Sequence, residues 1–230
     1  MHRAWLGTLI PMSASVPPFQ IVDDFLDEEA WTALWTHLQF DELHPVTRTS
    51  GAWKLDDGVP LGGQEIVTPG RDEELVHDPA QPHRFPTGTP LDGVLEALLG
   101  ACEAWEGIVG SDWERVTART YIYPRGTGLS WHSDDTERYA GAFVYYAHPH
   151  WNAHWGGELL VADGDSPAMM GYRFETESYS EALLESGTGR FIAPKPNRLV
   201  VLGSSPHAIA PVREGAGAAV RASVSGFFLR

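Results

Sequence analysis

The spacing of hydrophobic positions changes near the middle of the chain. In the N-terminal half, Trp31, Leu34, Trp35 and Leu38 follow the i, i+3, i+4, i+7 pattern of one helix face, with Asp27 placed as an N-cap. Leu91, Val94, Leu95, Leu98, Cys102 and Trp105 repeat at the same spacing behind Thr89-Pro90, which predicts a second helix. Between them, Val46 to Pro86 is rich in Gly, Pro and Asp, with short strand-like pieces such as Glu65-Ile66-Val67. Irregular segments of that length often serve as lids or binding loops.

From Val116 onward the pattern becomes short runs of β-branched and aromatic residues: Val116 to Tyr123, Ala142 to Tyr146, Glu158 to Ala162, Arg198 to Leu202 and Arg221 to Leu229. Turn residues separate them at Pro124 to Gly128, Gly156-Gly157 and Pro194 to Asn197. Helices followed by a run of strands predict an α+β, mainly β chain whose strands close into a sandwich or barrel.

With 230 residues, 43% of them hydrophobic, the chain can bury one substantial core, so a single domain over 1–230 is expected. Its first part, 1–115, would supply helical support and a Gly/Pro-rich substrate-loop region, and 116–230 the strand core. Acidic residues outnumber Lys and Arg by 31 to 16, and no basic stripe offsets the charge of -15, so no nucleic-acid partner is expected. Cys102 is the only cysteine, which excludes an intramolecular disulfide, a Cys-rich zinc site and an iron–sulfur cluster, and fits a reducing, cytoplasmic location. An apolar run from Ala4 to Ile10 behind His2 and Arg3 imitates a signal peptide, but Pro11 cuts it short. No stretch approaches the ~20 apolar residues of a membrane span, so no membrane partner is expected.

The candidate chemistry lies on the strands. Trp131-His132-Ser133-Asp134 places two metal-ligating side chains two residues apart, hence on one face if the segment is extended. His207 follows the apolar run Arg198 to Leu202 and can bring a third ligand. Two histidines and one carboxylate on one face of an octahedral ion leave open positions, the arrangement of non-haem Fe(II) oxygenases. A His-x-Asp dipeptide alone is common, and one of ten histidines is a weak signal. The stretch Val220 to Phe228 adds to it, because its period-two alternation turns Arg221, Ser223 and Ser225 to one face. An inward arginine is costly unless it meets an anion, and a guanidinium pairs a carboxylate bidentately.

Taken in order, Tyr121-Ile-Tyr-Pro-Arg-Gly-Thr-Gly-Leu-Ser-Trp-His-Ser-Asp134, Phe143-Val-Tyr-Tyr146, Trp155-Gly-Gly-Glu-Leu159, Pro196 to Leu202, Pro206-His207 and Arg221 to Phe228 resemble the iron(II)/2-oxoglutarate-dependent oxygenases, and most closely their prolyl-hydroxylase-like branch. The resemblance covers roughly Val116 to Leu229. It implies a double-stranded β-helix, or jelly roll, carrying Fe(II), with 2-oxoglutarate and O2 as co-substrates and ascorbate as a reductant. It further implies that His132, Asp134 and His207 are the catalytic iron ligands and that Arg221 pairs with the distal carboxylate of 2-oxoglutarate. Tyr123, Tyr146 and Ser225 match positions that line the co-substrate pocket. The spacing from His207 to Arg221 is longer than usual for this branch, with Glu214 to Ala219 reading as a widened turn. Halogenating relatives replace the carboxylate kept here as Asp134, so the resemblance implies hydroxylation, or another oxidation that begins with hydrogen abstraction, rather than halogenation.

Candidate substrate contacts are Trp53, Lys54 and Asp57 in the Gly-rich segment, Arg119 and Tyr121 before the metal motif, and Trp151, His154 and Trp155 before Gly156. The expected reaction is hydroxylation of an unactivated C–H bond of a small molecule of natural-product, nucleoside or amino-acid type, with 2-oxoglutarate decarboxylated to succinate and CO2. Two alternatives stay open: a peptidyl or prolyl hydroxylase acting on a protein substrate, and a non-catalytic jelly-roll binding protein.

Overall fold

The computed structural model describes residues 19–46, 56–71, 73–134, 137–163, 181, 183–185 and 187–230. The signal-like run Ala4 to Ile10 and the candidate contacts Trp53 and Lys54 lie outside these residues. Two antiparallel sheets make up the strand structure. The larger runs in the order β1 (Phe19–Asp23), β11 (Arg198–Leu202), β8 (Tyr139–Tyr146), β13 (Arg221–Leu229), β6 (Arg115–Tyr123), β4 (Leu61–Gly62) and β2 (His44–Pro45), and β5 (Ile66–Val67) also pairs with β6. The smaller runs β10 (Gly189–Ile192), β9 (Leu159–Ala162), β12 (His207–Ile209), β7 (Gly128–His132) and β3 (Asp56–Asp57).

Alternation along the strands sorts the interior into two layers. Val116, Ala118 and Ile122 of β6, Phe143 and Tyr145 of β8, Leu199 and Val201 of β11, and Ala222, Val224 and Phe228 of β13 face the helices. There they meet Leu34 and Leu38 of α1 (Glu28–Leu38), Val94, Leu95 and Leu98 of α2 (Asp92–Gly100), and Trp105 and Val109 of α3 (Cys102–Val109). Each fully buried Leu or Val in this layer is worth roughly 1.5–3 kcal/mol. The opposite faces of β8 and β11 turn Val144, Tyr146, Val200 and Leu202 toward Leu159, Val161 and Ile192 of the smaller sheet. The two sheets therefore pack face to face, and the interior between them holds the site.

Asp27 caps α1 as expected, its carboxylate accepting from the Ala30 N–H at 2.8 Å. The predicted second helix is two helices. At the break the Leu98 carbonyl accepts from the Ala101 N–H at 3.4 Å and from the Trp105 indole at 2.9 Å, which occupies the acceptor that a continuing helix would use. The preceding Gly100 adds low helix propensity.

The N-terminal part also completes both sheets. β1 pairs residue for residue with β11, from Phe19 opposite Leu202 to Asp23 opposite Arg198. Asn197, at φ 56, joins this edge to the body: its amide accepts from the Leu26 N–H at 3.0 Å and the Tyr145 hydroxyl at 2.9 Å, and donates to the Leu26 carbonyl at 2.8 Å. The Gly/Pro-rich segment contributes the short strands β3 to the smaller sheet and β4 and β5 beside β6.

Candidate metal centre and co-substrate pocket

β7 and β12 are neighbours in the smaller sheet, and their register sets His132 directly opposite His207. Asp134 follows two residues after the end of β7. A turn closed by the Thr127 N–H on the Pro124 carbonyl, at 3.1 Å, carries the chain from β6 into β7. The Asp134 carboxylate approaches both imidazoles, with Oδ1 3.9 Å from His132 Nε2 and Oδ2 3.3 Å from His207 Nε2. One ligand atom from each of the three residues lies within 4.8 Å of the other two.

Both imidazoles are held by the same local contact. His132 Nδ1 lies 2.7 Å from the Ser130 carbonyl and His207 Nδ1 2.8 Å from the Ser205 carbonyl. A carbonyl can only accept, so each Nδ1 carries the proton and each Nε2 presents a lone pair toward the shared point. Two lone pairs and a carboxylate converging in a site where His132 is 1% and His207 6% exposed form an electron-rich cluster that a divalent cation neutralises. The donor set fits iron(II).

The candidate co-substrate residues lie on the larger sheet. Arg221, Ser223 and Ser225 share one face of β13: Arg221 Nη1 donates to the Ser223 hydroxyl at 3.3 Å, and the Ser225 hydroxyl to Ser223 at 3.4 Å. Arg221 is fully buried, and its Nε donates to the Gly157 carbonyl at 3.0 Å. Its Nη2 is buried with no hydrogen-bond partner, and among the described residues no carboxylate pairs with the guanidinium. Aromatic rings bracket it, with Tyr123 at 5.2 Å and Tyr146 at 4.9 Å. Burial raises the pKa of the Tyr146 hydroxyl, and the Arg221 charge beside it opposes that rise, so the group stays a neutral donor. An enclosed cation with a donor to spare, flanked by hydroxyls, is complementary to a carboxylate.

A cavity of about 120 Å³ joins these elements. His132, Asp134, His207, Tyr123, Ser223 and Ser225 line it, and so do Arg119 and Tyr121 from β6. Val46, Pro60 and Glu65 line it as well, bringing the Gly/Pro-rich segment to the site. Trp151 and Trp155 lie elsewhere: their rings pack edge to face at 5.4 Å beside Val212 and Ala216, and neither lines the cavity. His154 is exposed in the short 3-10 turn Ala153–Trp155, and Asp57 contributes backbone to β3 opposite Gly128. The sequence reading did not single out Gly157. Its φ of 73° and its place 3.0 Å (measured from an added Cβ) from the Arg221 Cδ let its carbonyl reach the guanidinium, and the paired glycines 156 and 157 were the available signal.

The family described as the 2OG-Fe(II) oxygenase superfamily matches residues 118–229. Among solved structures, a prolyl-4-hydroxylase from Pseudomonas putida is similar at TM-score 0.61 and 21% identity, covering 93% of each chain. A prolyl hydroxylase from Trichoplax adhaerens, solved with a hypoxia-inducible-factor peptide fragment, gives TM-score 0.55 and 17% identity over 92% of this chain and 83% of that one. A 2OG-Fe(II) oxygenase family oxidoreductase from Burkholderia pseudomallei gives 0.55 and 14% over 91% and 84%. No curated protein matches the sequence significantly. The fold is the double-stranded β-helix of these structures. With the two-histidine, one-carboxylate cluster at its centre, the segment 118–229 is a domain of the 2OG-Fe(II) oxygenase superfamily, an enzyme family that uses Fe(II), 2-oxoglutarate and O2.

Proposed function

We propose that this oxygenase hydroxylates an unactivated C–H bond of a small molecule, of natural-product, nucleoside or amino-acid type. The observation that carries the reading is the cavity: it lies between the sheets and its polar lining includes Arg119, Tyr121 and Ser225 beside the metal cluster. When bound, iron(II) supplies the redox chemistry, in which 2-oxoglutarate, O2 and the substrate C–H become succinate, CO2 and an alcohol. His132, Asp134 and His207 are the residues that would hold the metal, a donor set that suits iron(II). Arg221 takes the distal carboxylate of 2-oxoglutarate, with Ser223 and Ser225 beside it. The apolar walls, including Leu129, Leu159 and Ile209, keep water from the reacting carbon.

A second reading, hydroxylation of prolyl residues in a protein, is favoured by the prolyl hydroxylases among the similar structures, one of them solved with a peptide. A screen of free small molecules and prolyl peptides, scored by substrate-dependent succinate release, separates the two. Small molecules alone should stimulate release, and stimulation by peptides alone would establish the second reading. Full turnover by Asp134→Ala in metal-controlled buffer would overturn both.

A further inference from the structure

Resting on the reading that this cavity holds iron and 2-oxoglutarate, we infer that Arg119 is a second carboxylate anchor and that the substrate is a small zwitterion with a free carboxylate and an amine, of amino-acid type.

The strand register places the two arginines. Along the β6/β13 seam, Arg221 stands opposite Tyr123, Ser223 opposite Tyr121, and Ser225 opposite Arg119. All of these except Arg221 line the cavity, and Arg119 lies four residues from the Arg221 rung, roughly 13 Å at ~3.3 Å per residue. The β6/β13 seam therefore carries a guanidinium at each end of this row. The Arg221 end is fully buried and suits the co-substrate, whereas Arg119 is partly exposed and lines the cavity together with Val46 and Pro60.

Arg119 is held in place without being neutralised. Its Nε donates to the Gly63 carbonyl at 2.6 Å, and among the described residues it forms no ion pair. Gly63 is fixed in turn by its N–H on the Thr120 carbonyl at 2.9 Å. Gly62 makes room for the head group, since a Cβ there would lie 2.8 Å from both Nε and Nη2. The guanidinium sits 5.5 Å from the Tyr121 ring, which limits its swing. Its two terminal amino groups are left for a ligand, in the fork geometry that matches a carboxylate.

Glu65 lines the same cavity and is not paired with Arg119. A cation and an anion presented separately to one space suit a ligand that carries both signs. A residue inside a polypeptide offers neither charge from its backbone, so this pair selects a free amino acid over a peptide segment.

The test uses the full chain with Fe(II), 2-oxoglutarate and four matched probe sets: free L-amino acids, their methyl esters, their N-acetyl derivatives, and prolyl peptides blocked at both ends. Succinate release above the substrate-free rate is the readout. At least one free amino acid should stimulate it, its methyl ester should lose at least tenfold in kcat/KM, and its N-acetyl derivative should lose a smaller factor. Arg119→Gln should lower kcat/KM at least tenfold for the free acid and less than twofold for the ester, with partial recovery in Arg119→Lys. Glu65→Gln should narrow the gap between the free and N-acetylated amine. Equal rates for acid and ester on the unmodified protein, or stimulation by the blocked peptides and by no free acid, overturns the inference. The visible charge-transfer band of anaerobic Fe(II) with 2-oxoglutarate tells the two failures apart: with the band present only the substrate class fails, and without it the metal reading fails first.

Discussion

His132 and His207 face one another across a single rung of the smaller sheet, with ring centroids 4.2 Å apart. Their Nδ1 protons are committed to backbone carbonyls, so the Nε2 lone pairs and the Asp134 carboxylate crowd together unless a cation sits among them. Metal binding to the folded state alone must then stabilise the fold, by ~2.7 kcal/mol at a free metal concentration 100 times the dissociation constant. Calorimetry under anaerobic Fe(II), or in Mn(II), should show the melting temperature rise in the unmodified protein and stay unchanged by metal in Asp134→Ala. An equal rise in both would remove Asp134 from the ligand set.

Arg221 is a buried cation whose Nη2 has no partner, and on the proposed reading the distal carboxylate of 2-oxoglutarate would complete it. Truncating one partner of a buried charge pair costs about 2–5 kcal/mol, so Arg221→Ala should raise the 2-oxoglutarate dissociation constant by a factor of ~30 or more. Titration of the charge-transfer band reads this directly, and Arg221→Lys should recover only part of it because an ammonium lacks the bidentate fork. Gly157→Ala should produce a milder form of the same defect. Its new Cβ would lie 3.0 Å from the Arg221 Cδ and 3.3 Å from Trp151, on a backbone held at positive φ.

The local rules that made parts of this molecule readable are visible in particular residues. Arg221, Ser223 and Ser225 were legible as one face because strand periodicity is fixed by backbone geometry, and the hydrogen bonds among them follow that face. Asp27 was legible as a cap for the same local reason. What escaped depended on contacts distant in sequence. Phe19 to Asp23 form a strand because β11 offers an unpaired edge 175 residues further on, where Asp23 meets Arg198 and Lys195. Arg198 and Lys195 hold the Asp23 carboxyl down at about 2, so this edge stays paired under acid conditions well below neutrality. Trp151 and Trp155 carry the aromatic character of a substrate loop, yet packing of their segment against Val212 and the 3-10 turn Glu214–Ala216 leaves them outside the cavity lining.

Gly226 lies in the middle of β13, and the reason is spatial. A Cβ at this position would fall 1.6 Å from the Thr117 carbonyl and 3.0 Å from the Ala118 Cα, both backbone atoms that cannot move aside. Gly226→Ala must open the β6/β13 seam, which also carries Arg119, Tyr121, Tyr123 and Arg221. The expected loss is about 3 kcal/mol or more, in the range of severe overpacking. Urea unfolding checks it. A variant that unfolds at the same denaturant concentration as the unmodified protein would show that the seam relaxes without cost.

His148 couples the same region to pH. Its Nδ1 is 3.1 Å from the Ala222 carbonyl and its Nε2 2.9 Å from the Pro194 carbonyl, so a neutral ring can satisfy one of the two acceptors and a protonated ring both. Burial nevertheless dominates and takes the pKa down from 6.5 to about 4, with the two carbonyls opposing and the Arg221 charge assisting. The folded state thus holds the ring neutral at pH values where the unfolded chain protonates it. Stability from this group is present above about pH 6.5 and is lost as pH falls toward 4, by about 2 kcal/mol between pH 7 and pH 4.5. Carboxylates lose stability over part of the same interval, so the comparison must be with His148→Gln, which keeps them and removes the imidazole. Urea unfolding at the two pH values should show a drop that is smaller by about 2 kcal/mol in the variant, and an identical drop in both proteins would mean that His148 is already protonated in the fold.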